Sequence, residues 1–179
     1  MRASTEGKQL LVIGVGNTLR GDDGVGVRVA QALADRPLPE GVAVLDGGTE
    51  GLDLLYHLET ADRVILIYGA VLGKAPDEVR VFGGELVHAT PEVRFSSTHG
   101  FGVAEVLTLG RSIGVTPEVT VVGIQPGELG PRDGLSEALE SHLTEYVKLV
   151  EGLIASDREG NIPPYAVQGS DISGEDPRR

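Results

Sequence analysis

The sequence predicts an α/β fold: a three-layer sandwich with a mostly parallel central sheet of about five strands and helices on both faces. Three observations predict it. Short, almost wholly apolar runs alternate along the chain with stretches whose apolar residues recur every three or four positions. The apolar runs have the composition of strands buried on both faces, which parallel sheets require. The first run leads directly into a glycine-rich loop, as strand-to-helix turns in such folds do.

The expected strands are Gln9 to Val15, Val42 to Leu45, Arg63 to Tyr68, Glu78 to Phe82 and Val119 to Gln125. Glu78 to Phe82 alternates Val79 and Val81 with Glu78 and Arg80, so it is expected at an edge with one wetter face. Between these runs lie amphipathic helices. Gly24 to Asp35 carries Val25, Val29, Ala32 and Leu33, and Gly51 to Glu59 carries Leu52, Leu55 and Leu58. Gly102 to Ile113 carries Val103, Val106, Leu107 and Ile113, and Leu135 to Ile154 carries Leu135, Leu139, Tyr146, Val150 and Ile154. Right-handed crossovers then put helices on both faces of the sheet. Residues 1–155 are expected to form one domain. After Ser156 the pattern lapses into Pro163-Pro164 and scattered Gly and Ser, so 156–179 is expected to be a flexible tail.

Composition narrows the function. A formal charge of −12 argues against a nucleic-acid or anionic-membrane partner, both of which need a basic surface. No apolar stretch approaches the roughly 20 residues of a membrane span. Met1 to Lys8 is polar and has no signal-peptide pattern, so the cytoplasm is the expected compartment. The chain has no cysteine, which removes disulfides, thiolate metal ligands and thiol nucleophiles together.

The most specific stretch is Gly14-Val-Gly16-Asn17-Thr-Leu-Arg20-Gly21-Asp22-Asp23-Gly24-Val-Gly26. In an open α/β sheet, ligands bind beyond the carboxyl ends of the strands. The residues expected there are Asn17, Arg20, Asp22 and Asp23 after the first strand, and Asp46 to Glu50 after the second. Gly69 and Ala70 follow the third, and Gln125, Pro126 and Glu128 the last. Ser96 to Gly100 precedes a helix and contributes His99. Either Asp22 or Asp23 is suited to cap a helix, but one cap needs one carboxylate, which leaves Asp23 the better candidate for chemistry. The glycines beside Asp46 suggest close approach of a ligand or of another backbone. Glu50 reads as a solvated residue or a cap partner, and His57, His88 and His142 as surface or packing residues. Arg20 suits either a pair with an acid across the loop or a substrate carbonyl.

Two chemistries compete for this arrangement. Gly14-x-Gly16 after a strand, with Asp46 closing the next strand, imitates the dinucleotide fingerprint, but position 19 is leucine where the third glycine belongs. Two acids at that helix N-terminus also repel a pyrophosphate. Alternatively, Asp and His suit a divalent ion such as nickel or zinc, which polarises a carbonyl or acidifies a bound water. The chain has neither a His-Glu-x-x-His helix nor a Gly-x-Ser-x-Gly elbow.

The loop from Gly14 to Gly26 resembles the opening signature of the hydrogenase maturation proteases, endopeptidases that remove a C-terminal extension from the large subunit of [NiFe] hydrogenases. Three further segments match in order: Asp46-Gly47-Gly48-Thr49-Glu50-Gly51, His99-Gly100-x-Gly102, and Val122-Gly123-Ile124-Gln125-Pro126 followed by Leu129. The resemblance covers about residues 9 to 154 and implies cleavage of a nickel-loaded large-subunit precursor, the nickel being carried by that precursor. It implies Asp23 and His99 as metal-contacting catalytic residues, with Asp46 shaping the crevice and orienting water. The family's third metal position falls on Gly69, which has no side-chain ligand. The same departure fits a fold member that binds the precursor without cleaving it, or one in which Asp46 or Glu50 supplies the missing oxygen to a divalent ion in the site. A monomer that interacts with neither nucleic acid nor membrane is expected.

Overall fold

The computed structural model describes residues 9–49, 51–87, 94–95, 102–158 and 165–168. Strands β1 (Leu10–Val15), β2 (Val42–Gly48), β3 (Arg63–Val71), β4 (Val79–Gly83), β5 (Arg94–Phe95), β6 (Glu118–Ile124) and β7 (Tyr165–Gln168) form a seven-stranded sheet. Its order is β2-β1-β3-β6-β4-β7, with β5 paired to β3. The β2, β1, β3 and β6 strands run parallel, while β4 is antiparallel to both β6 and β7. The expected sheet is therefore present, with two short strands added. Because β7 pairs along it, β4 is not the edge strand its alternation suggested.

Helices α1 (Val25–Ala34), α2 (Asp53–Thr60), α3 (Val103–Ser112), α4 (Glu137–Ser141) and α5 (Leu143–Arg158) cover the two faces. Alternation along the strands sorts the core into two layers. Val12, Ile65 and Ile67 pack with Val25, Val29 and Leu33 of α1 and with Val147 and Val150 of α5. Ile13, Leu66 and Tyr68 face the other way, against Leu54 and Leu58 of α2 and Val103, Val106 and Leu107 of α3. Ile65, Leu66 and Ile67 are fully buried in succession, which is why β3 reads as a continuous apolar run. Truncating any of them to alanine is expected to cost about 2–5 kcal/mol.

The helix boundaries follow local chemistry. Helix α1, with its stripe of Val25, Val29 and Leu33, stops at Ala34, three residues before Pro37. In α3 the Gly102 N–H donates to the Glu105 carboxylate at 2.9 Å, satisfying one of the first-turn donors. The single helix expected over Leu135 to Ile154 is two, because the chain breaks at His142, whose ring nitrogen Nδ1 lies 2.8 Å from the Ala138 carbonyl. The stretch expected as a tail contains the end of α5 and the β7 pairing. No helix among the described residues is long and apolar enough to cross a membrane.

Candidate active site

The strand order fixes where a crevice opens. From β1 the chain crosses to β2 by α1 on one face; from β2 it returns past β1 to β3 by α2 on the other face. The carboxyl ends of β1 and β3 are thus the point at which the winding reverses, where α/β sheets bind ligands. Glycine lets α1 start directly over that point. A Cβ on Gly26 would lie 2.1 Å from the Ile67 carbonyl oxygen and 2.6 Å from that of Val15. Gly16, with φ +144°, turns the loop so tightly that a Cβ there would meet the Asp23 carbonyl oxygen.

The loop then makes a short 3₁₀ turn, Gly21–Gly24, in which both aspartates are buried. Their roles diverge. The Asp22 carboxylate is fully buried and accepts the Gly127 and Glu128 N–H groups at 2.9 and 2.8 Å. It also accepts the Ser136 N–H at 2.7 Å and the Ser136 hydroxyl at 2.8 Å. Burial alone would push this carboxyl up. The donors of Glu128, Ser136 and Gly127 outweigh it and hold the group below the usual carboxylate range. Asp22 therefore stays ionised and ties the first loop to the segment after β6. Backbone bonds reinforce the tie, from Asp22 N–H to Glu128 C=O and from Gly21 N–H to Arg132 C=O, both 3.0 Å. Arg20 joins Arg132 in a backbone bridge at the same seam. Asp23 instead turns back on its own loop, where one carboxylate oxygen accepts the Asn17 N–H at 3.1 Å.

Across the crevice, β2 runs on past the expected Leu45, so Asp46 lies within the strand, two residues before its end, and is exposed. One of its oxygens accepts from Gln31 of α1 at 3.0 Å and the other from the Gly48 N–H at 3.0 Å. The Gly48 carbonyl in turn accepts the Gly16 N–H at 2.8 Å, joining the second loop to the first. An extra residue on β2 opposite Gly14 and Val15 makes a bulge here, a device that re-aims chain ends beside sites.

Strand β3 runs on to Val71, so Gly69 and Ala70, expected after it, lie within it; Gly69 is buried and pairs with Ile124. By alternation it shares the α1 face with Ile65 and Ile67, the side from which the Asp22-Asp23 turn approaches. Tyr68 points to the α3 face, where burial pushes its phenol far above the ordinary value, so it remains neutral. His99, Glu50 and His88 lie outside the described residues, as does Ser96 to Gly100. His57 stacks edge-on with Tyr56, and His142 sits 3.2 Å from the Asp77 carboxylate, so both belong to the surface, as expected.

Among the described residues, no three His, Asp or Glu side chains come together to hold an ion. Asp22 has its lone pairs occupied, and Gly69 contributes no side-chain oxygen. Asp23 lies buried in the same turn as Asp22, with the Asn17 N–H on one of its oxygens. The dinucleotide alternative fares worse: a pyrophosphate at the α1 N-terminus would sit against the ionised Asp22 and its neighbour.

Two positioning residues escape a reading of the sequence. Ser136 looks like an ordinary helix cap, yet its hydroxyl donates to Asp22, 114 positions away. Gln125, expected only to lie near the crevice, accepts the Leu72 N–H at 2.6 Å and the Lys74 N–H at 3.3 Å through Oε1, pinning the β3–β4 connection to the end of β6. A polar residue closing an otherwise apolar strand was the available signal for Gln125; none was available for Ser136.

Comparison with known proteins adds a family. Residues 27–153 match the model of the hydrogenase maturation protease family, HycI. The hydrogenase 2 maturation protease of Escherichia coli K12 is 36% identical over 162 residues, covering 89% of this chain and 98% of its own. The hydrogenase expression/formation protein HupM of Azotobacter chroococcum mcd 1 is 34% identical over 166 residues, 88% of this chain and 79% of that one. Among solved structures, the hydrogenase-maturating endopeptidase HybD from E. coli superposes with a TM-score of 0.70 at 33% identity, over 85% of this chain and 94% of that one.

Proposed function

The chain belongs to the hydrogenase maturation protease family, and on that premise we propose that it removes the C-terminal extension of a nickel-loaded [NiFe]-hydrogenase large-subunit precursor. What supports the reading is the first loop: Asp22 is consumed by its bonds to the segment after β6, and the proposal gives its neighbour Asp23, in the turn that follows β1, the part in the chemistry. Nickel enters as part of the substrate. Asp23 and His99 contact the nickel on the precursor and thereby hold the scissile peptide bond in one place, where proximity lowers the barrier to water attack. The attacking oxygen bonds to the carbonyl carbon, the C–N bond breaks, and the leaving nitrogen takes up a proton. Asp46, held by Gln31 and Gly48, forms the opposite wall and orients water along it. Gly69 adds no donor, so the ion's remaining ligands belong to the precursor, and no resident metal is required of this chain. The same proposal puts the reaction in the cytoplasm, before the mature hydrogenase assembles.

A processing assay tests this directly. Incubation with a nickel-loaded precursor is expected to release its C-terminal peptide, seen as a mass loss, and His99→Ala is expected to abolish release. Association without release by the wild-type chain would favour the reading in which Gly69 marks a binder that no longer cleaves. Unchanged turnover in His99→Ala would remove that residue from the site.

A further inference from the structure

The described residues include five large apolar side chains that are strongly exposed: Leu19 at 67%, Leu52 at 59%, Tyr56 at 67%, Ile113 at 59% and Leu129 at 43%. They are not scattered evenly. Leu19 lies in the loop after β1, between Asn17 and the Asp22-Asp23 turn. Leu52 and Tyr56 lie one turn apart at the start of α2, just after the Asp46 loop. Leu129 lies in the segment after β6 that Asp22 holds down. Leu19 and Leu129 therefore sit on loops that also carry the site's polar residues, and Leu52 and Tyr56 sit at the start of the helix that follows the Asp46 loop. Ile113 closes α3 and lies at the opposite end of the sheet.

Part of the charge around these loops is paired within the chain. Arg132 pairs with Glu128, Arg28 pairs with Asp133 at 3.2 Å, and Asp46 is engaged by Gln31. Leu19 and Leu129 are held in fixed relation, because the Leu19 carbonyl accepts the Arg132 N–H at 3.1 Å and the Glu128 carbonyl accepts the Asp22 N–H. A single exposed leucine is ordinary, but several exposed apolar side chains at the carboxyl end of the sheet, two of them held in fixed relation, are the kind of surface that meets another protein.

We propose that Leu19, Leu52, Tyr56 and Leu129 form a docking rim for an apolar patch on the folded body of the large-subunit precursor, beside the point where its C-terminal extension emerges. The proposal rests on the family reading above and supplies its recognition surface. A peptide whose scissile bond lies in the crevice brings the protein it belongs to against the loops that border the crevice, so the rim is continuous with the site. Docking there contributes to binding of the whole precursor and leaves the chemical step to Asp23 and His99.

The test is steady-state cleavage of the full nickel-loaded precursor by a variant in which all four residues are exchanged for serine, beside Ile113→Ser. The fourfold variant is expected to raise KM by about tenfold or more while kcat stays within about twofold of wild type. Ile113→Ser is expected to leave both unchanged. A fourfold variant with wild-type KM, beside a wild-type enzyme that cleaves, overturns the rim and leaves the family reading standing. A wild-type chain that neither binds nor cleaves the precursor removes the family reading and the rim with it. Should the fourfold variant melt early, the pairs Leu19/Leu129 and Leu52/Tyr56 are exchanged separately. Each pair is expected to raise KM by about threefold, and two unaffected pairs sink the proposal.

Discussion

The two walls of the crevice are made of similar residues and held in opposite ways. On the β6 side, the Asp22 carboxylate accepts from Gly127, Glu128 and Ser136, and Gln125 pins the β3–β4 connection, all in buried or half-buried surroundings. On the β2 side, Asp46 is exposed and is held by one glutamine and its own loop. A buried carboxylate must have its lone pairs satisfied, or the fold bears the desolvation cost. Once they are satisfied, that carboxylate has nothing left for a substrate. The wired wall therefore sets the shape, and the proposed chemistry is assigned to its neighbours.

The sharpest way to break this comparison is Asp22→Ala. It leaves the N–H groups of Gly127, Glu128 and Ser136 without their acceptor and is expected to cost about 3 kcal/mol or more of stability, measured by urea unfolding. A loss below about 1 kcal/mol would mean that water replaces the carboxylate and that the wall is not wired as described. The same group sets an acid limit. Its folded pKa lies below the unfolded value of about 3.9, so its contribution is complete above that pH and disappears as pH falls through the depressed folded value. The stability gap between wild type and Asp22→Asn is accordingly expected to narrow below about pH 4.

Asp23→Asn tests the neighbouring position. The amide keeps the acceptor for the Asn17 N–H and removes the charge, so the fold should hold to within about 1 kcal/mol while precursor cleavage falls by about a hundredfold or more. If both aspartates proved equally destabilising and equally inactivating, the division between them would be gone. For Asp46→Ala the expectation is smaller still: under about 1 kcal/mol in stability, because both bonds are exposed, and a several-fold decline in kcat. A complete loss of turnover at Asp46 would move the chemistry to the lightly held wall.

How far this was legible depended on whether the signal was local. Strands β1, β3 and β6 show in the sequence because burial on both faces leaves mostly apolar runs, interrupted in β6 only by Thr120 and Gly123. Strand β7 does not, since Tyr165-Ala166-Val167-Gln168 is short and follows Pro163-Pro164. Its absence from the sequence reading also made β4 look like an edge. The break at His142 was hidden because Leu139, Tyr146 and Val150 keep a helical spacing across it. Asp22 was expected as a helix cap and Asp23 for chemistry, but Asp22 caps neither the turn nor α1 and is bound instead to the segment after β6. What separates them is Ser136, 114 residues along the chain, and no local pattern reports a partner at that distance.

The smallest expected effect lies at the outer margin of the wired wall, where exposure should weaken electrostatics. His142, at the break between α4 and α5, lies 3.2 Å from the Asp77 carboxylate, and Asp77 reaches it with a left-handed φ of 77°. The Ala138 carbonyl favours the protonated ring, partial burial opposes it, and Asp77 and Glu145 favour it, so the imidazole pKa is raised. A raised folded value means that the contribution is complete below the unfolded pKa of about 6.5 and is lost as pH rises through the folded one. An NMR titration of the ring is expected to give a midpoint above that of a free histidine, and Asp77→Asn is expected to lower it. Because the pair is exposed, the accompanying change in melting temperature should be small and should shrink further in high salt. A large, salt-insensitive change would show that the margin is as tightly wired as the wall behind it, and the contrast between buried clamp and open edge would have to be redrawn.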